Sequence, residues 1–245
     1  FVRIAYTART TEGGQLVDTT DEEVAEEEGV ADQGEFEPRV IALGEQHLFP
    51  TVEEDIIGKE AGDSGSVTVS AENAFGEYDE SEVRTVSADK IPEDSMRPGA
   101  QVQIDGDQGY LETIVGGRAR VDFNHPLAGE SVEYEYELLE EVEDTLEQAE
   151  GLFSMFLDVD LEMRLEEEEV EETTVEEPDD EDGELETVTE TVEKTTLYIE
   201  STPQLAMNQQ WMFQKQQIGQ QVIDQTGIDR IIIEEVIEVA RSEER

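Results

Sequence analysis

The chain has 245 residues, enough for two or three small domains that each bury a core. Its 66 acidic against 15 basic residues give a formal net charge of −51, which leaves nothing to neutralise phosphates and so excludes nucleic acid and an anionic membrane surface as partners. Cysteine is absent, excluding disulfides and thiolate chemistry, and the charge itself fits molar salt, where screening shortens the Debye length to about 3 Å.

Val2, Ile4, Tyr6 and Ala8 alternate as a half-buried strand does, Gly13-Gly14 marks a turn, and Gln15 to Asp18 resumes as the partner strand. The acidic stretch 21–35 reads as an exposed loop or short helix, and Pro38 to Leu43 as a strand. Leu48, Val52, Ile56 and Ile57 recur at helical spacing before Gly58, predicting a short amphipathic helix. Ser66 to Ala71 alternates as a further strand.

Residues 80–122 read as a separate module, with strands at 101–104 and 111–115 bounded by Asp105-Gly106 and Gly116-Gly117. Asp105-Gly106-Asp107 has the flavour of a calcium loop, but the sixth and twelfth positions hold Tyr110 and Gly116, so a hairpin turn is expected. Val132, Tyr134, Tyr136 and Leu138 then share one face of a strand that suits the first sheet. The chain leaves one domain, builds another and comes back.

A helix is predicted over 145–157 and a strand from 159 to 165. The stretch 166–184, nearly all Glu, Asp and Thr, reads as a solvated hairpin tip or disordered loop; its Asp179–Asp182 cluster is not read as a metal site. After a strand at 195–200, Thr202-Pro203 caps a Gln-rich helix reaching Gln225, with Met207, Trp211, Ile218 and Val222 on its apolar face. Gly227 ends that helix, and 230–236 forms a last strand, making a compact α/β third domain. Trp211-Met212-Phe213 places large apolar groups on consecutive positions, so a homodimer through this domain is an expectation. No apolar run spans a membrane and no signal peptide is visible; the chain begins with Phe, as a trimmed start would, and the cytoplasm is the expected compartment.

The segments Asn73-Ala74-Phe75-Gly76-Glu77-Tyr78-Asp79-Glu80 and Val121-Asp122-Phe123-Asn124-His125-Pro126-Leu127-Ala128-Gly129 bracket the inserted module. Together with Tyr6 and Asp18 they resemble the edges of the insert-in-flap domain in prolyl isomerases of the FKBP family, in its SlyD-like branch and of the long archaeal type. The resemblance covers residues 1–143. It implies an α+β fold: an FKBP-like antiparallel sheet wrapped on a short helix (1–79 and 123–143), a small β-rich insert-in-flap chaperone domain (80–122), and a C-terminal α/β domain (144–245) carrying the acidic loop 166–184.

It also implies peptidyl-prolyl cis-trans isomerase activity with an associated chaperone function, acting on unfolded or partly folded polypeptides without a cofactor or metal. Tyr6, Asp18, Phe49, Phe75 and Tyr134 fall on the catalytic positions, and Val17, Arg39, Leu48 and Val52 line the pocket. Ile91, Met96, Ile104 and Leu111, with Val102 and Ile114, are the insert's candidates for holding clients. Phe75 lacks the hydroxyl of the tyrosine usual there, and Arg39 stands at a position usually apolar or aromatic, able to pair with Asp18. Those departures keep a second reading open, a binding-only chaperone with a catalytically weak FKBP-like domain. Read singly, Tyr6 and Tyr134 are ordinary core aromatics and Asp18 a turn acid. The chain lacks the His- and Cys-rich tail that SlyD-like proteins often carry, its two histidines being His47 and His125, so nickel handling is not expected; His125 is expected to order the flap junction.

Overall fold

The computed structural model describes residues 1–157, 161–176 and 186–235. The first strand, β1 (Val2–Thr10), buries every second residue without exception. It is the middle of a five-stranded antiparallel sheet. Strands β2 (Leu16–Thr19) and β3 (Arg39–Ile41) pair with its later and earlier halves. Between β2 and β3, Asp21 caps α1 (Glu22–Glu28) by accepting from the Glu23 and Val24 N–H groups, and left-handed Gly29 closes it, so the short-helix option holds.

Helix α2 (Pro50–Ile56) starts on proline, whose missing N–H costs nothing in a first turn. It packs Val52 and Ile56 into the same core as Ile4, Tyr6 and Ala8. Ile57, expected on the apolar face, is instead 62% exposed, because the chain turns extended once the helix ends at Ile56. Strand β4 (Ser64–Val69) follows.

The inserted segment forms its own four-stranded antiparallel sheet from β5 (Val83–Ser87), β6 (Gln101–Ile104), β7 (Asp107–Val115) and β8 (Arg118–Asp122), in the order β5-β8-β7-β6. Asp105 and Gly106 both have positive φ (56° and 102°), as do Gly116 and Gly117, the backbone signs of the type I′ hairpin. One expectation is corrected here. Ile91, Ile104 and Leu111 are not at the surface: they form this sheet's core with Val102, Ala119 and Val121, since a module this small needs its few large apolar residues inside. Of the six client-holding candidates, Val102 is buried there too, Ile114 packs partly against it, and Met96 stays open to solvent, at 42%.

The chain returns through β9 (Val132–Glu141), which lies between β1 and β4 and turns Val132, Tyr134, Tyr136 and Leu138 inward. Helix α3 (Thr145–Leu157) then docks against β3 so closely that a Cβ on Gly151 would overlap the Val40 side chain. Beyond it, β10 (Met163–Glu176) and β11 (Glu186–Glu200) pair antiparallel along their whole length. The expected loop over 166–184 is therefore shorter than read: residues 166–176 are strand, registered by pairs such as Val170 opposite Val192 and an ion pair between Glu172 and Lys194. The rest, including Asp179–Asp182, lies outside the described residues.

The Gln-rich helix is two helices. Thr202 caps α4 (Pro203–Met207) through the Leu205 N–H, and Asn208 then caps α5 (Gln209–Thr226) through the Trp211 N–H. The break swings Met207 out to 78% exposure, contrary to its expected place on the apolar face, whereas Trp211, Ile218 and Val222 are buried. Strand β12 (Arg230–Glu234) pairs parallel with β11, completing a strand–helix–strand unit; Val236, expected as its end, lies outside the described residues. Among the described residues no helix is long and apolar enough to cross a membrane.

Candidate active site

Tyr6, on the inward face of β1, donates its hydroxyl hydrogen to Asp18 Oδ2 at 2.6 Å. Asp18 stands on β2, and its other oxygen accepts the Thr19 N–H at 2.9 Å. From β3, Arg39 Nη1 reaches both the Tyr6 hydroxyl (2.8 Å) and Asp18 Oδ2 (3.2 Å), so the salt bridge open to Arg39 in the sequence is formed. Burial first, and then the Asp18 carboxylate, hold the Tyr6 hydroxyl well above the usual phenol range, with Arg39 pulling the other way. Tyr134 is pushed up to about 12 by burial and by Asp18.

Aromatic rings extend from this polar end as a continuous wall. Tyr6 and Tyr134 lie 5.7 Å apart between centroids. Phe49 meets Tyr134 edge-on at 6.0 Å and Phe75 edge-on at 5.6 Å, both at 86°. Phe75 in turn stacks flat on His125, with centroids 4.5 Å apart and planes at 4°. Val52 forms buried floor, and Val17 and Leu48 pack against the same cluster. The structure thus brings together Tyr6, Val17, Asp18, Arg39, Leu48, Phe49, Val52, Phe75 and Tyr134. It does not bring Ile91, Met96, Ile104 or Leu111 into that cluster.

The loop that delivers Leu48 and Phe49 is organised by a residue the sequence did not single out. Glu53, 3% exposed on α2, accepts the N–H groups of Gly44 (2.8 Å), Gln46 (3.3 Å) and Leu48 (2.9 Å). The Phe49 N–H itself makes no hydrogen bond among the described residues. An available donor thus sits beside the aromatic wall, the arrangement needed to take a substrate carbonyl. His125 was legible only as a junction residue; its Nδ1 does accept the Leu127 N–H at 3.1 Å, while its ring also backs Phe75.

A cleft of about 980 Å³ opens on the other side of the Asp18–Arg39 pair, between β2, β3 and α3, and does not reach Phe49, Phe75 or Tyr134. Among the described residues no group of three or more His, Cys, Asp or Glu side chains is placed to hold a metal ion. What the aromatic site offers is an apolar wall, one hydroxyl–carboxylate–guanidinium group at its end, and a backbone donor.

Residues 95–127 match the family described as FKBP26, IF domain. Over 137 residues the chain is 27% identical to the short-type peptidyl-prolyl cis-trans isomerase of Methanocaldococcus jannaschii, covering 55% of this chain and 86% of that one. It is 32% identical over 152 residues to the FKBP-type peptidyl-prolyl cis-trans isomerase SlyD of Haemophilus influenzae, covering 60% of this chain and 73% of the relative. With the SlyD of Pasteurella multocida the identity is 34% over 152 residues, covering 60% and 69%. With two SlyD relatives more than 30% identical and covered over more than two thirds of their length, and a mixed α and antiparallel β structure, the chain belongs to the FKBP-type peptidyl-prolyl cis-trans isomerases and is SlyD-like.

Proposed function

We propose that the aromatic site binds X–Pro segments of polypeptides and accelerates rotation about the imide bond. That rotation is slow because amide resonance must be broken, with a barrier of about 18–20 kcal/mol. At the half-turned transition state the carbonyl loses conjugation with nitrogen and the group becomes less polar. An apolar cleft stabilises that state more than the planar amide, and each tenfold in rate takes only about 1.4 kcal/mol of such difference. Tyr6, Phe49, Phe75 and Tyr134 supply the apolar wall, the Phe49 N–H the hydrogen bond to the carbonyl before proline, and Asp18 the polar end. The observation that carries this reading is the free Phe49 N–H at the edge of four converging rings.

The division 1–79 with 123–143, 80–122 and 144–245 is part of the same reading, with the middle segment as an insert-in-flap chaperone domain and the last as a C-terminal α/β domain. Tethering a client-binding module beside the pocket raises the local concentration of prolines without new pocket contacts. Since Ile91, Ile104 and Leu111 are core residues, the exposed Met96 and Val115 and the surface around them are what the module offers a client. The exposed Met212 and Phe213 of α5 support a homodimer through the C-terminal domain, which light scattering in molar KCl tests.

The second reading, a binding-only chaperone, draws its support from Arg39, which already occupies the Tyr6 hydroxyl and Asp18. Proline-limited refolding of a protein substrate, measured in molar KCl, separates the two. Acceleration by the full chain, lost when 80–122 is replaced by a short loop while small-peptide isomerisation persists, supports an isomerase with a separate client-holding module. Binding of the unfolded substrate with no acceleration of its refolding supports the holdase.

A further inference from the structure

The loop 42–49 that carries Leu48 and Phe49 is held from two sides. From within, the Glu53 carboxylate takes three of its N–H groups, including the one immediately before Phe49. The loop needs this, because Gln46 adopts φ +62°, a left-handed conformation that costs a non-glycine residue energy unless its surroundings impose it. From outside, His47 links the loop to the C-terminal helices. Its Nδ1 accepts the Ala42 N–H at 3.1 Å, which leaves the proton of the neutral ring on Nε2. That edge of the ring lies against Gln225 of α5. The Gln225 Nε2 amide donates to Glu45 Oε2 at 3.3 Å, tying the loop to this helix. It sits 3.5 Å from His47 Nε2, where two N–H groups meet without a hydrogen bond. The same ring meets Phe156 of α3 edge-on at 6.1 Å. Phe156 packs into the core of the C-terminal helices and strands, whereas Leu48 and Phe49 pack into the core of the first sheet.

We propose that Glu53 and His47 are positioning residues for the Phe49 N–H, and that the C-terminal helices brace the substrate loop through Phe156 and Gln225. This rests on the isomerase reading and gives the C-terminal segment a part in it: the donor is held at a fixed place before substrate arrives, so the transition state meets a preorganised group. Neither residue touches the substrate. Replacing Glu53 by Gln sets an NH2 group against backbone N–H donors, and the loop then relaxes out of the Gln46 conformation. Loss of Phe156 or Gln225 contacts removes the outer support and leaves the inner one.

The test is amide hydrogen exchange at Gly44, Gln46 and Leu48 in the full chain, alongside kcat and KM for a prolyl tetrapeptide, in the wild type, Glu53→Gln, Phe156→Leu and Gln225→Ala. Glu53→Gln should raise exchange at the three amides and lower kcat by about tenfold with a smaller change in KM, as loss of a buried charged acceptor implies. Phe156→Leu and Gln225→Ala, both remote from the aromatic wall, should each raise exchange at the same amides and lower kcat by about threefold, in keeping with loss of a peripheral contact. Unchanged exchange at Gly44, Gln46 and Leu48 in both outer variants overturns the brace, as does faster exchange with kcat and KM intact. If the wild type accelerates no peptide, the exchange data alone still decide whether the C-terminal helices hold the loop, and the isomerase reading fails separately.

Discussion

Arg39 and Asp18, on two strands that pair with different halves of β1, meet at 3.2 Å, and the guanidinium nitrogen that reaches the carboxylate also holds the Tyr6 hydroxyl. The pair is about two-fifths exposed on each side, so in salt it contributes little to stability. Its effect is on the chemistry: a cation beside the cleft favours the more polar planar amide over the twisted one. Arg39→Met should therefore change the unfolding free energy by less than about 1 kcal/mol. It should raise kcat/KM for an apolar prolyl peptide by about threefold, roughly 0.65 kcal/mol of barrier. Denaturant titration and a peptide assay check the two halves independently.

Phe75 lies between Phe49 and the face of His125, and on the proposed isomerase reading a hydroxyl there would add a hydrogen bond to substrate. A net hydrogen bond contributes about 0.5–1.5 kcal/mol, so Phe75→Tyr should raise kcat/KM by roughly two- to tenfold. The para position must point into the cleft for this to occur. A measured KM that does not fall would show that His125 stacking turns that position away.

The buried Tyr134 hydroxyl, with a pKa pushed up to about 12 against an ordinary value of 10.0, makes stability depend on alkaline pH. The unfolded chain gives up this proton near the ordinary value and the folded one only later. The favourable contribution is thus complete below pH 10, falls as pH rises between about 10 and 12, and is gone above. Denaturant midpoints taken across that range should decline more steeply for the wild type than for Tyr134→Phe.

Gly151 lets α3 lie against β3, since any Cβ there would run into Val40. Gly151→Ala should destabilise the chain by about 1–3 kcal/mol, the range for overpacking, even though alanine is the better helix former by about 1 kcal/mol. A denaturant midpoint no lower than the wild type's would show that the two elements can separate freely.

Strands that bury one face were legible because alternation survives in β1 and β9, where Val2, Ile4, Tyr6 and Ala8 answer Val132, Tyr134, Tyr136 and Leu138. The hairpin β10–β11 was legible only in part, because Glu at nearly every position leaves few apolar markers, the Val170–Val192 pair being one. Asn208 was passed over since a cap between two helices of compatible spacing reads as one helix interior. The aromatic members of the candidate site followed from the resemblance of the chain to the FKBP family, not from the residues read singly. Glu53 did not: it is one of 66 acids, and only the fold shows that its carboxylate faces inward onto three N–H groups. The insert's Ile91, Ile104 and Leu111 were candidates for holding clients, with packing of a small core as the alternative; all three pack in that core, a distinction composition cannot make.

NMR exchange spectroscopy on a short prolyl peptide, with folded full-length chain in molar KCl, tests the cleft most directly. Faster cis–trans exchange at catalytic amounts of protein, reduced about tenfold or more by Asp18→Ala, which loses the Tyr6 contact and leaves the Arg39 charge unpaired beside the cleft, is the expected result. An exchange rate equal to that of the free peptide, with the protein shown to be folded in the same tube, would contradict it.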